Sequence, residues 1–280
     1  MSIEYAFAID DCVFFLTEIY EKKYGSLFDC FFLNRLREFN RNYGTKFVLN
    51  IFFRNDHKPD FNIGLFPDTY KDEWIENSDW LKLAFHAFSE FPAHPYKNVA
   101  PEALQQDIEL IRTQIIRFAG EKTYSPPAVV HFISIPDNCF NVMKEAGAKF
   151  LMFLSPGNYE EESLKAECAQ PLFHDDARGL SFIKCAIVIN NTPLELVEGK
   201  LADALSWGTE KIHLLTHEQY SFDYYANYLP DHFDRIETAL RFLKSKGMEP
   251  IFIQDKEYLE MINSNPIIRL SRPPVFLPHL

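Results

Sequence analysis

Short apolar runs alternate with amphipathic stretches along almost the whole chain, and this rhythm constrains the fold more than any other feature. The apolar runs are Tyr5–Ile9, Lys46–Phe53, Leu81–Phe85, Ala128–Phe132, Phe150–Leu154, Lys211–Thr216 and Pro250–Ile253. Between them, Leu27, Cys30, Phe31, Leu33, Leu36 and Phe39 recur at helical spacing up to a stop at Gly44. Pro101 opens a second helix that runs to about Phe118, with Gly120 as its stop. Asn138–Ala146 closes at Gly147, and His232–Lys246 closes at Gly247. Strands separated by helices predict a parallel sheet with right-handed crossovers. Seven such units can close into a distorted (β/α)7-type barrel or stay an open, mostly parallel sheet flanked by helices; pattern alone does not choose. Residues 155–191 break the rhythm with two further apolar runs, Pro171–Phe173 and Leu180–Ile189, and read as an insertion with antiparallel pairing as one option. The proline-rich tail after Asn265 (Pro266, Pro273, Pro274, Pro278) reads as an extended arm, and residues 1–280 are expected to form one domain.

Bulk chemistry narrows the function classes. Hydrophobic residues make up 47% of the 280, ample for a buried core. The 27 Phe residues suit a sugar-binding face, but core packing accounts for most of them. A net charge of −12 repels phosphate backbones and anionic membranes, so neither nucleic acid nor a membrane is an expected partner. Cys12, Cys30, Cys139, Cys168 and Cys185 are scattered and include no C-x-x-C pair, so free thiols are expected. With no signal-peptide pattern at the start, the expected location is cytoplasmic.

In parallel α/β folds, functional groups gather at the carboxyl ends of strands. Those ends carry Asp10-Asp11, His86 with Glu90 four residues on, His131, and Thr216-His217-Glu218. Acidic and imidazole groups at four strand ends would converge on one mouth. Each has a duller explanation: Asp-Asp after a strand is often a helix N-cap, and a lone His at a strand end is usually a packed structural residue. Nucleotide-binding glycine loops, a G-x-S-x-G elbow and H-E-x-x-H are all missing. His174-Asp175-Asp176 has ligand chemistry but reads as a solvated loop.

The strand-end residues resemble the motifs of the polysaccharide deacetylase superfamily (NodB-like), and the text around them is similar to an uncharacterised, WbmS-like bacterial branch linked to surface-polysaccharide loci. The family's Thr-Phe-Asp-Asp-Gly reads here Ala8-Ile9-Asp10-Asp11-Cys12; its His-Ser/Thr-x-x-His reads His86-Ala87-Phe88-Ser89-Glu90; its Leu-x-His is met by Leu215-Thr216-His217. The resemblance implies a divalent metal, zinc first, held by Asp11, His86 and Glu90, with Asp10 as catalytic base and His217 as general acid, removing N- or O-acetyl groups from a carbohydrate. His94, His131 and Glu218 stand as further substrate-facing or supporting groups, and His94 as a substitute ligand for Glu90. Three departures matter. Cys12 replaces the Gly, Glu90 replaces the second His, and the Arg-Pro-Pro motif has no match. A carbohydrate-binding protein with a degenerate site and a hydrolase of another amide or glycosidic bond are the competing classes.

Overall fold

The structure is a computed structural model and describes residues 3–158 and 162–256. Its centre is β1 (Glu4–Cys12), whose residues from Tyr5 onward are all buried, as befits a parallel strand covered on both faces. Along its C-terminal half β1 lies between β2 (Phe47–Phe52) and β7 (Lys211–His217); at its start it also pairs with the two-residue β8 (Glu249–Pro250). Beyond β2 lies β3 (Leu81–Ala87), and beyond β7 lie β6 (Leu180–Val188) and then β4 (Phe150–Phe153). Every one of these pairs is parallel; β5 (Leu172–Asp175) runs antiparallel on β6. The result is a mixed sheet curled into a half-barrel flanked by helices.

Four of the flanking helices matter for the site. Helix α1 (Phe14–Lys22) follows β1 directly, and α2 (Phe31–Tyr43) ends at Gly44 in the left-handed region. Its buried face, Phe32, Leu33, Leu36 and Phe39, follows the predicted spacing, and each such side chain contributes about 2 kcal/mol when buried. Leu27–Asp29, expected to begin this helix, is a separate 3-10 turn capped by Ser26 and Asp29. Further on, α3 (Pro101–Ala119) starts with Pro at its first turn, and α4 (His232–Ser245) packs near α2. Buried apolar residues form one contiguous cluster, rich in Phe as core packing predicts. All five cysteines are free and buried. No helix among the described residues is long and apolar enough to cross a membrane.

Further elements differ from expectation. The run Pro250–Ile253 is a strand only at Pro250, and a 3-10 turn begins at Ile253. Ala128–Phe132 is not a strand. Pro126 and Pro127, which lack N–H groups, lead into it, and a bond from Met152 N to Ala128 O (2.8 Å) ties it to β4 before the chain turns at His131–Ile133. The place in the sheet is taken by β6, so the second apolar run of residues 155–191 is a central strand and β5 its antiparallel neighbour. The tail after Asn265 lies outside the described residues.

Candidate metal centre

Successive residues of a strand point to opposite faces, so adjacent Asp10 and Asp11 should not reach one target. A bulge removes the difficulty. Ile9 pairs with Leu49 and Cys12 with Ile51, so two residues of β1 face the single Asn50 of β2. Asp11 adopts φ 59°, a left-handed conformation uncommon for a non-glycine residue. Both carboxylates consequently reach the same nitrogen: His86 Nε2 lies 3.0 Å from Asp11 Oδ1 and 3.9 Å from Asp10 Oδ2. On the other side of β2, Ile51 pairs with Phe85 and Phe52 with Ala87, so His86 is itself the extra residue of a second bulge.

The third partner is His131. The turn that presents it has Phe132 at φ 61° and Ile133 at φ 55°. Its ring stands edge-on to Phe52 at 4.9 Å and lies 5.1 Å from the His86 ring. His131 Nδ1 lies 3.1 Å from Asp11 Oδ1 and 3.2 Å from His86 Nε2. Three potential ligand atoms thus form a nearly equilateral triangle, from residues at most 7% exposed. Ligands held at about 2.1 Å by a tetrahedral ion sit about 3.4 Å apart, close to these edges. Hydrogen bonds alone cannot satisfy all three edges. Asp11 can accept from both rings, but two inward N–H groups would then face each other. A cation satisfies all three at once, so the donor set fits a divalent metal. Burial alone would raise the Asp11 carboxyl; the hydrogen bonds from His131 and His86 overcome it and hold it well below the usual carboxylate range. For His86, burial works downward, and the Asp10 and Asp11 carboxylates more than reverse it, raising its pKa.

Glu90, expected as the third ligand, is engaged elsewhere: its Oε2 lies 2.7 Å from His57 Nε2 and accepts from Gln219 Nε2 at 2.9 Å. It is outside the three-atom group among the described residues. His94 is also apart, its ring 4.3 Å from that of Phe132. His174 pairs with Ser181 Oγ at 3.0 Å and lies 3.7 Å from Asp176, away from the triangle.

Asp10 and His217 are register partners on β1 and β7. Asn50 Nδ2 donates to Asp10 Oδ1 at 2.6 Å, leaving Oδ2 toward His86. His217 Nδ1 lies 2.9 Å from Asn190 Oδ1; because that oxygen can only accept, Nδ1 carries the proton, and Nε2 is left free for chemistry. Asn190 is braced in turn by Thr216 and by Arg235, which donates to its backbone oxygen. Glu218 is fully buried. Burial pushes its carboxyl up to about 8, against the pull of three backbone N–H groups that it accepts. Asn50, Asn190, His57 and Gln219 carry no sequence signal of their own; they emerge only once the strands are paired.

No family model matches this chain, and no curated protein does. Solved structures do. A putative polysaccharide deacetylase from Mycobacterium smegmatis is similar over 100% of this chain and 96% of its own, at 9% identity and a TM-score of 0.52. A 4-alpha-glucanotransferase from Thermococcus litoralis is similar over 92% of this chain at 12% identity and a TM-score of 0.56; the match spans 40% of that protein. A family 4 acetyl xylan esterase from Clostridium thermocellum, solved with a cobalt ion, is weaker at 0.47, with 14% identity over 93% of this chain and 90% of its own. At these identities the likeness is one of fold.

Proposed function

We propose that this chain is a metal-dependent hydrolase that removes N- or O-acetyl groups from a carbohydrate, in the polysaccharide deacetylase superfamily. The observation that carries the reading is the convergence of Asp11, His86 and His131 on one point, with Asp10 and His217 side by side on the strands next to it. The Asp-His-His donor set suits zinc or a similar divalent ion. Held there, such an ion would supply Lewis acidity toward water and an acyl oxygen. Asp10, with one oxygen fixed by Asn50, takes the proton from the attacking water through the other. His217, fixed through Nδ1 by Asn190, presents Nε2 to protonate the leaving amine or alkoxide. Phe132, 43% exposed between the His94 and His131 rings, offers aromatic surface suited to a sugar ring. The WbmS-like branch belongs to the same reading and rests on the residues flanking Asp10-Asp11 and His86; a cytoplasmic setting goes with five free, buried thiols, and the single contiguous core of the described residues supports treating them as one domain.

The carboxylate geometry favours this over glycosidic-bond chemistry, although a glucanotransferase shares the fold. Glycoside hydrolysis uses two available carboxyl groups flanking the bond. Here Asp11 is committed to two imidazoles, Glu90 to His57 and Gln219, and Glu218 to backbone N–H groups, which leaves Asp10 alone.

The test is acetate release from N- and O-acetylated saccharides by protein loaded with zinc or cobalt, beside elemental analysis of protein purified without a histidine tag or chelator. Acetate release that disappears in Asp10→Asn while bound metal persists is the expected result. Metal-free protein that takes up no ion, or loaded protein that cleaves glycosidic bonds instead, overturns the reading.

A further inference from the structure

The bulge at Asp10-Asp11 puts a strained residue immediately before a helix that cannot cap itself. Helix α1 starts after Val13, which has φ −162° and ψ −16° and offers no side-chain cap; the neighbouring Cys12 and Phe14 offer none either. The first N–H groups of a helix have no partner within it, and here they are buried, so something must accept them. Glu218 does. From the end of β7 it reaches across to β1: Oε2 accepts from Val13 N at 2.6 Å and Phe14 N at 2.9 Å, and Oε1 accepts from Phe15 N at 2.5 Å. Both oxygens act as acceptors, and the positive end of the helix favours the charged form of the group against the upward push of burial. The register that pairs Asp10 with His217 delivers Glu218 to this spot, one residue past the end of β7.

We propose that Glu218 is a positioning residue: its two side-chain oxygens clasp the backbone two to four residues past Asp11 and thereby keep Asp11 in its left-handed conformation, with Oδ1 against His86 and His131. The left-handed corner is unfavourable for Asp unless its surroundings over-determine it; on its downstream side the chain is held by the pairing of Cys12 with Ile51 and, beyond that, by the clasp. On the upstream side the pairing of Ile9 with Leu49 and Thr216 holds β1. The bulge is pinned at both ends, and one pin is a single side chain from another strand. Local sequence does the opposite of what a self-capping corner would do, because Cys12-Val13 supplies neither a glycine for the turn nor a polar cap. The inference deepens the metal-centre reading, and only its second readout depends on that reading.

The experiment uses the full chain with Glu218→Gln, which keeps the shape but turns an amide NH2 toward backbone donors. Leu240→Ala, in the buried face of α4, serves as a control for a general loss of stability. The first readout is the ring nitrogen shifts of His86 and His131 in metal-free, folded protein, which report their bonds to Asp11. The second is zinc or cobalt affinity by titration. Glu218→Gln should move both rings toward their unpaired positions and weaken metal binding at least about tenfold, the usual cost of losing an outer support of a ligand. Leu240→Ala should change neither. Should Glu218→Gln fail to fold, Glu218→Asp keeps the charge but falls one methylene short, and the same readouts apply. A folded variant with both rings unmoved overturns the clasp, whatever its melting point. Wild-type protein that binds no ion, with rings that still move in the variant, overturns the metal centre and leaves the clasp standing.

Discussion

Replacing His131 or Glu90 by Ala separates the two possible ligand sets. His131 Nδ1 forms two edges of the triangle, at 3.1 and 3.2 Å, whereas the Glu90 carboxylate is occupied by His57 and Gln219. Losing one of three protein ligands should weaken binding on the order of 100-fold, about 2.7 kcal/mol. The loss can be read as a thermal shift. An ion at 100 times its Kd stabilises the folded state by about 2.7 kcal/mol. At about 2.1 cal/mol/K per residue, unfolding 280 residues carries an entropy of about 0.6 kcal/mol/K, so wild-type protein should melt about 5 °C higher with metal than without. At the same metal concentration His131→Ala would sit near its Kd, where stabilisation falls to about 0.4 kcal/mol and the shift to under about 1 °C. Glu90→Ala should keep the full shift. Each variant is compared with itself with and without metal, so any change in the metal-free fold cancels. A Glu90→Ala protein that loses the shift, with a His131→Ala protein that keeps it, would restore Glu90 as the ligand and refute the triangle.

Other consequences are equally measurable. Asn190→Leu should lower kcat about 10- to 100-fold through loss of the Nδ1 contact to His217, with metal affinity unchanged by titration. Asp10→Asn should lower kcat by about 10²- to 10⁴-fold while elemental analysis still finds metal. His213 is buried, and desolvation lowers its pKa from 6.5 to about 4, so the unfolded chain takes up a proton below 6.5 that the folded chain refuses. The His213 contribution is therefore complete above pH 6.5 and is lost as pH falls toward 4, by about 3 kcal/mol; it is read as the difference in urea unfolding between wild type and His213→Leu, which should narrow from pH 7.5 to pH 4.5.

Much of the sheet was legible because β1, β2, β3, β4 and β7 are continuous apolar runs buried on both faces, the strongest signal a parallel strand can give. Asp10, Asp11, His86 and His217 follow from the same signal, since they sit at the ends of those runs. Glu90, expected beside His86, lies outside the triangle for a specific reason. The His-x-x-x-Glu spacing brings two side chains together only on a helix, and β3 continues through Ala87 before the chain bends away. His131 was visible as an imidazole at the end of an apolar run, yet its role was hidden. Its approach to Asp11 depends on Phe132 and Ile133 taking left-handed conformations, and no residue type there announces them. β6 was hidden by its neighbours: it follows the hairpin from β5, so its run looked like part of an insertion.

The adjacent carboxylates show why composition at a strand end says less than the backbone that presents it. In a regular strand Asp10 and Asp11 would face opposite ways, and one would serve only as a cap. The bulge against Asn50 turns both inward and then gives them different surroundings. Asp11 receives two imidazole nitrogens and is held ionised; Asp10 receives one amide from Asn50 and keeps an oxygen uncommitted. Two chemically identical side chains thereby acquire separate surroundings, which suit the separate roles proposed for them, cation ligand and proton acceptor. The division depends on backbone placement, so exchanging the roles by side-chain substitution should fail. In Asp10→Asn/Asn50→Asp a carboxylate is restored within reach of the same site, but on β2, fixed by a different strand. That double variant should bind metal as the wild type does and remain inactive. Acetate release rising from the single-variant level toward wild type in the double variant would show that the site needs only a nearby carboxylate, and that the bulge is not what assigns the roles.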